Sequence, residues 1–144
     1  MKTRILRWSL IIILIIISPL VYTEAVGYMA THAAFPVIRA LSVKSRIAAS
    51  IIFITCDLIC AIFTSIISVL PSGYLASKQP RIIAALLVAA IQVFPICSFL
   101  QSPNLGTLAV EVFWGQFIAV VVSALAFAEI GSRIAEKRQE KAAV

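Results

Sequence analysis

Four long, mostly apolar runs constrain this chain more than any other feature of its sequence. Each run is close to the ~20 residues that an α-helix needs to cross the hydrocarbon core of a bilayer. Transmembrane strands would alternate apolar and polar residues, which these runs do not do. The sequence therefore predicts an all-α protein, an integral membrane four-helix bundle that forms a single transmembrane domain over residues 1–144. The predicted spans are about 5–22, 47–70, 82–100 and 105–130.

The charged residues support the membrane class and predict the orientation. They make up 12% of the chain, whereas ~25% is usual in a soluble domain. With the N-terminus inside, nine lysine and arginine residues flank the spans on the inner side and three on the outer side. Because cytoplasmic loops carry such an excess, we expect both termini and a tail over residues 131–144 in the cytoplasm of a bacterium, with the spans in its inner membrane. This placement accounts for the net charge of +6, so no nucleic-acid partner is expected.

The first run allows two interpretations. Residues 1–25 have the basic start, the apolar stretch, the breaker Pro19 and the small residues of a cleavable signal peptide. The alternative is an uncleaved span, which is favoured because the apolar run continues to Tyr22. Trp8 and Tyr22 would then suit the two membrane interfaces as aromatic anchors. We therefore expect an uncleaved first span.

The connection over residues 23–46 is the longest in the chain. It is too polar to span comfortably and too apolar for a free loop, and it contains Pro36. A helix that lies in the outer interface and is broken near Pro36 fits best, and a lid over the bundle is the alternative. Clusters of proline and glycine predict short turns at residues 71–80 and 101–106.

One strong hydrogen-bonding side chain lies ten or eleven residues into each of the last three spans. This places each of them about 15 Å into the membrane at 1.5 Å per residue, near its midplane. Polar groups that face lipid go unsatisfied, so the three side chains are expected to converge inside the bundle. They are Asp57, Gln92 and Gln116.

Small residues recur at helical spacing in the last three spans. Such stripes let helix backbones approach closely, which drives association where hydrophobicity cannot. They predict the helix-packing faces of the bundle, although the same stripe could line a transport path. The residues are Ala61, Thr64 and Ser68 in the second span, Ala85 and Ala89 in the third, and Gly115, Ala119 and Ser123 in the fourth.

Glu111 is a second embedded acid, about 9 Å from the outer end of the fourth span. At this depth it can reach interfacial water, and we expect it to pair with Arg39, Lys44 or Arg46 rather than to couple transport. His32 is the sole histidine, and no cysteine–histidine cluster offers a metal or haem site. No cofactor is therefore expected.

Asp57 is the residue for which a functional role is most expected, because ionisable groups at membrane depth are expensive. It has three interpretations. A protonated Asp57 could form a structural clasp with Gln92 or Gln116, a titrating Asp57 could couple proton binding to movement, and a charged Asp57 could dock a cation of a partner subunit. No lysine or arginine of this chain lies at that depth. The clasp and docking interpretations are together favoured.

Two functions follow from these features. The favoured one is a small inner-membrane accessory protein that packs with a larger membrane protein, or with itself as a homo-oligomer, through its small-residue faces. The alternative is a small proton-coupled transporter or channel that uses Asp57 as its embedded acid. No nucleophile–base pair or phosphate-binding loop is present, so an enzyme is not expected.

The overall plan resembles the small multidrug efflux family, whose members are short chains of four tightly connected spans with an embedded acid. The resemblance is confined to architecture. That family carries its essential glutamate in the first span, whereas residues 5–22 contain no acid here. No functional residue is therefore carried over to this chain.

Overall fold

The computed structural model describes residues 2–101 and 106–142, and all regular elements in those ranges are helical. The expected all-α class is thus confirmed. Within the described ranges, three helices are long and apolar enough to cross a membrane, namely Ile5–Ala40, Arg46–Leu75 and Thr107–Ala142. The elements are α1 (Lys2–Met29), α2 (Phe35–Ala40), α3 (Arg46–Thr64), α4 (Leu70–Leu75), α5 (Pro80–Gln101) and α6 (Thr107–Ala142).

The first helix runs without a break from α1 into α2, through a π-helical segment at Ala30–Ala34. It passes the end expected at Tyr22, contains Pro19, and is not broken near Pro36. A proline lacks the N–H of a regular helical turn, and its ring crowds the carbonyl four residues earlier. The π-helical segment directly before Pro36 widens the helix, so the chain accommodates the proline and continues.

The second long helix also has a π-helical segment before a proline. A π-helical segment at Ser65–Val69 joins α3 to α4, and Pro71 lies in the first turn of α4. The turn predicted at 71–80 is therefore shorter than expected and covers residues 76–79. There the amide of Gln79 donates to the carbonyl of Ala76 at 2.9 Å. Residues 102–105 of the turn predicted at 101–106, including the first residue of the fourth predicted span, lie outside the described residues.

The helix α6 is central to the packing, since it contacts α3, α4 and α5, while α1 packs on α3 and α5. The α3–α4 helix runs parallel to α6, because the first residues of one helix contact the first residues of the other, and the last residues contact the last. Near the start of both helices, Nη1 of Arg46 donates a hydrogen bond to the hydroxyl of Thr107. Near their end, the hydroxyl of Ser132 donates to the carbonyl of Ser77 at 2.9 Å. Two helices that are far apart in sequence thus form the longest shared surface of the molecule.

The helices α4 and α6 approach each other closely. A Cβ added at Gly73 would come within 2.5 Å of the carbonyl oxygen of Ala128, and one added at Gly131 would come within 2.9 Å of the amide nitrogen of Tyr74. Because only glycine leaves room here, the two backbones touch directly. The sequence pattern predicts only a turn at Gly73 and indicates no role for Gly131.

The outer surface is rich in large apolar side chains. Isoleucine, leucine, valine and phenylalanine side chains of every long helix are exposed, including Ile16, Phe63, Leu86 and Ile118. A soluble monomer does not expose contiguous apolar surface on this scale. Together with the three long apolar helices, this surface identifies an integral membrane protein.

Candidate functional site

Asp57 lies in the middle of α3 and is only 6% exposed. Its neighbours are an apolar cluster in which residues of α1, α3, α5 and α6 meet, including Tyr22, Cys60 and Val120. The carboxyl group therefore faces the interior of the molecule and not the lipid-facing surface. This enclosure is the condition on which a role for Asp57 depends.

Tyr22 is the residue that α1 contributes to this site. Its side chain is 2% exposed, and its hydroxyl lies near the carboxyl group of Asp57 and the amide of Gln116. The expectation that Tyr22 anchors at a membrane interface is therefore wrong. Because the helix continues to Ala40, Tyr22 is about 25 Å from either end of the 36-residue segment Ile5–Ala40.

The inward position of Tyr22 had a signal in the sequence. Ile11, Ser18 and Tyr22 are all buried and follow one another at intervals of seven and four residues. Such spacing keeps side chains on one face of a helix. The position of Tyr22 near the end of an apolar run nevertheless favours an interface anchor, because aromatic residues are typical of that place.

The two glutamines differ in their surroundings. Gln116 is half-buried beside Tyr22. Gln92 is 1% exposed, and neither its Nε2 nor its Oε1 has a hydrogen-bond partner among the described residues. No hydrogen bond joins Asp57 to either amide within that part of the chain. The described residues therefore form no hydrogen-bonded clasp between Asp57 and a glutamine. Gln116 and Asp57 both lie near Tyr22.

A row of buried hydroxyl groups continues from Asp57 toward α4. Thr64, Ser68 and Ser72 are each 0% exposed and follow at intervals of four residues along one helix face. Among the described residues, the hydroxyls of Thr64 and Ser68 find no hydrogen-bond partner. Buried polar groups in proteins are almost always satisfied by protein or by water. Thr64 and Ser68 thus place two polar groups in the interior for which the described residues supply no partner. We call Asp57, Thr64, Ser68 and Ser72 the hydroxyl row.

Glu111 belongs to a separate, shallower contact at the start of α3 and α6. Its Oε1 lies 3.0 Å from Nη2 of Arg46, and its Oε2 accepts a hydrogen bond of 2.7 Å from the hydroxyl of Ser50. The expected pairing of Glu111 with a cation of the outer side is confirmed for Arg46. This ion pair joins the two parallel helices and is not part of the hydroxyl row.

The small-residue stripes have different positions in the structure. Gly115 is half-buried and faces the side chain of Ile54. Ala85 and Ala89, in contrast, are exposed, so the expected packing face of α5 is wrong for the interior of this chain. The buried face of α5 is formed instead by Ile83, Ala84, Leu87 and Ile91. The stripe residues that are buried are Ala61, Thr64, Ser68, Ala119 and Ser123.

The cysteines and the histidine lie apart from any metal site. Cys56 is half-buried, Cys60 buried and Cys97 exposed, and all three are free thiols. His32 is exposed, and its ring stacks on Tyr28 with centroids 4.3 Å apart. In the described part of the chain, no group of three histidine, cysteine or acidic residues could hold a metal ion.

Comparisons with protein-family models, with curated proteins and with solved structures found no match for this chain. The geometry of its own residues therefore carries the functional argument.

Proposed function

We propose that the chain is a four-span bundle in a bacterial inner membrane, with both termini in the cytoplasm. The helix α5 supplies the fourth span, since its 22 residues are about 33 Å long, enough to cross the hydrocarbon core. The excess of basic residues beside the start of α1, the α4–α5 turn and the end of α6 supports the orientation. Residues 23–46 then lie toward the outer side.

We further propose that the protein is a non-catalytic accessory protein that associates with itself or with a larger membrane protein through the outer face of α5. The observation that carries this proposal is the exposure of Ala85 and Ala89, four residues apart. Exposed branched residues flank them, among them Ile82, Leu86 and Val93. Small residues between larger ones form a shallow groove into which another helix packs closely, and this packing drives helix association in lipid.

Association through α5 is tested by filling the groove. Ala85→Leu with Ala89→Leu is expected to abolish self-association or copurification with the partner, because the added side chains hold the second helix away. Ala126→Leu is the matched control, since Ala126 is an exposed alanine on α6. The measurement is energy transfer between labelled copies in liposomes, together with copurification from mild detergent. An unchanged signal in the double variant would contradict the proposal, as would a wild-type chain that is monomeric and unaccompanied in both experiments.

A second candidate function is proton-coupled transport, and the hydroxyl row is the observation that favours it. Among the described residues, Asp57 forms no ion pair with a lysine or arginine, and the unpartnered hydroxyls of Thr64 and Ser68 follow it along α3 and the segment after it. A carboxyl group in such surroundings can exchange a proton if water enters the row. Proton uptake at Asp57 would then alter its contacts with Tyr22 and Gln116.

Proton flux separates the two functions. In proteoliposomes with an internal pH-sensitive dye, Asp57→Asn would abolish proton flux if Asp57 is a coupling acid, because an amide cannot carry the proton. Thr64→Val would reduce the flux by removing a hydroxyl of the row. The matched control is Thr55→Val. Thr55 is an exposed threonine of the same helix, and its hydroxyl donates to the carbonyl of Ile51. No flux in the wild type above that of empty liposomes would exclude this candidate.

A further inference from the structure

Two adjoining cavities lie at the end of the molecule where α1 begins and where α4 and α6 end. Each has a volume of about 270 Å³. They share Arg7, Leu75, Ser77 and Gln139 as lining residues, so they form one continuous groove. We call it the basic groove. The side chains that define its chemistry are Arg7, Trp8, Tyr74, Ser77, Lys78 and Arg138.

The basic groove brings together three cations from three separate segments, and the described residues that line it include no carboxylate. Arg7 comes from α1, Lys78 from the α4–α5 turn and Arg138 from α6. The ion pairs found in the described residues join Arg46 to Glu111 and Arg133 to Glu129, so neither pair involves a cation of the groove. Like charges that line one groove repel, and an anion between them would relieve the repulsion.

The structure holds part of this groove in place. Nη1 of Arg138 donates to the hydroxyl of Tyr74 at 3.1 Å, which directs the guanidinium toward α4. The hydroxyl of Ser132 donates to the carbonyl of Ser77 at 2.9 Å, which ties the turn to α6. The Gly73–Gly131 contact lies directly next to these bonds. Arg138 and the turn that contains Lys78 are therefore held beside the close contact of α4 with α6.

The wall of the basic groove is apolar on the side of α1. Trp8 lines it and is 43% exposed, and Ile11 and Leu75 lie beside it. Tryptophan is typical of the boundary between headgroups and acyl chains. A molecule that fills the whole groove therefore needs a negative charge for the cations and an apolar part for this wall. A phospholipid has both, whereas a free phosphate ion has only the charge.

We propose that the basic groove binds the phosphate group of an anionic phospholipid, with the first part of its acyl chains against Trp8. Arginine pairs with phosphate oxygens through two parallel N–H donors, and basic pockets between transmembrane helices hold such headgroups. This inference requires only that the groove lie at a membrane interface. It is independent of the function of Asp57 and of the partner of α5.

The test is a lipid titration of the delipidated protein in mild detergent, with bound lipid counted by native mass spectrometry. Phosphatidylglycerol is expected to bind at least tenfold more tightly than phosphatidylcholine. Arg7→Gln, Lys78→Gln and Arg138→Gln should each weaken phosphatidylglycerol binding by roughly fivefold, the usual contribution of one cation near an anionic lipid surface. The matched control Arg133→Gln removes the same charge from α6 outside the groove, and it should change binding by less than twofold.

Two further variants and one competitor decide the remaining alternatives. Arg7→Lys with Arg138→Lys keeps the charges and should keep the preference for phosphatidylglycerol, which separates loss of charge from loss of folding. Millimolar inorganic phosphate should leave the lipid bound, and complete displacement would show a site for free anions instead. Equal binding of the two lipids by the wild type would overturn the proposal. An equal loss in Arg133→Gln would do the same, because it would trace binding to overall charge.

Discussion

The α4–α6 contact and the level of Asp57 are both buried between α3–α4 and α6, yet they are built in opposite ways. At the α4–α6 contact, Gly73 and Gly131 bring backbone against backbone, and the nearby polar groups of Ser72 and Ser132 are hydrogen-bonded. At the level of Asp57, the side chains are larger and several polar atoms have no partner among the described residues. The named hydroxyls of the first region are hydrogen-bonded and several polar atoms of the second are not, so we expect the first to be the more rigid region.

The physical reason lies in what holds helices together in lipid. Hydrophobicity gives no preference for helix over lipid contact, so close packing and polar bonds supply the cohesion. The glycine contact maximises close packing over a short length. Around Asp57, several polar atoms have no hydrogen-bond partner among the described residues and remain open to water or to a partner protein.

The largest effect is expected from closing the glycine contact. Gly131→Ala would place a Cβ against the carbonyl of Leu70 and the amide of Tyr74, both of which are backbone atoms. Overpacking of this kind costs about 2–3 kcal/mol in free energy of unfolding, even though alanine is the better helix former. Unfolding in mixed detergent micelles with increasing SDS would measure the loss.

The control for this variant is Gly27→Ala. No atom lies within 4 Å of a Cβ added at Gly27, so only the helix propensity changes. Alanine should then stabilise the protein by up to about 1 kcal/mol. Equal effects of the two variants would show that the α4–α6 backbones do not touch, and the contrast between the two regions would be lost.

The second prediction concerns the buried Gln92, and the expected change in the free energy of unfolding has the opposite sign. Gln92→Leu replaces an amide that is 1% exposed and without a partner by an apolar side chain of similar volume. Removing an unsatisfied buried amide should raise the free energy of unfolding by about 1–2 kcal/mol. The same SDS titration measures it. A destabilised variant would show that the amide of Gln92 has a hydrogen-bond partner, for example a bound water. The buried polar atoms would then have more partners than the packing of the described residues indicates.

A third, smaller effect is expected at Gly115, where a small residue faces a side chain and not a backbone. A Cβ there would come within 2.5 Å of Cγ1 of Ile54, which belongs to a flexible side chain and not to a backbone. Gly115→Ala should therefore cost only about 1 kcal/mol, since the isoleucine can move. Combining it with Ile54→Val should recover part of the loss. Without any recovery, the contact between α3 and α6 would have to be as rigid here as at Gly131.

The smallest effect is expected at the ion pair of Arg46 and Glu111. Their side chains are 53% and 38% exposed, so water and salt screen the interaction. Arg46→Gln should lower the free energy of unfolding by less than about 1 kcal/mol, and less at high salt. A loss that is large and independent of salt would place this pair in a drier environment and extend the rigid region to the start of both helices.

Some of this protein could be predicted residue by residue. The pairing of Glu111 with a nearby cation followed from its depth and from the basic residues on the same side. The burial of Asp57 followed from the high cost of an acid facing lipid. The positions of Tyr22, Ala85 and Ala89 could not be predicted, since they depend on how α1 and α5 are rotated about their axes. A shift of one residue turns a side chain by about 100°, which moves it from the interior to the lipid.

The sequence by itself determined that this is an all-helical membrane protein, because the length and apolar character of a segment are local properties that add up along the chain. Only the tertiary structure decided that Pro36 and Pro71 leave their helices unbroken, that Tyr22 meets Asp57, and that Gly73 and Gly131 let two backbones touch. The reason is that the lipid-facing and the inward-facing sides of a membrane helix are both apolar. The pattern of hydrophobicity therefore does not mark which side meets another helix, and that choice is made by shape once the helices pack.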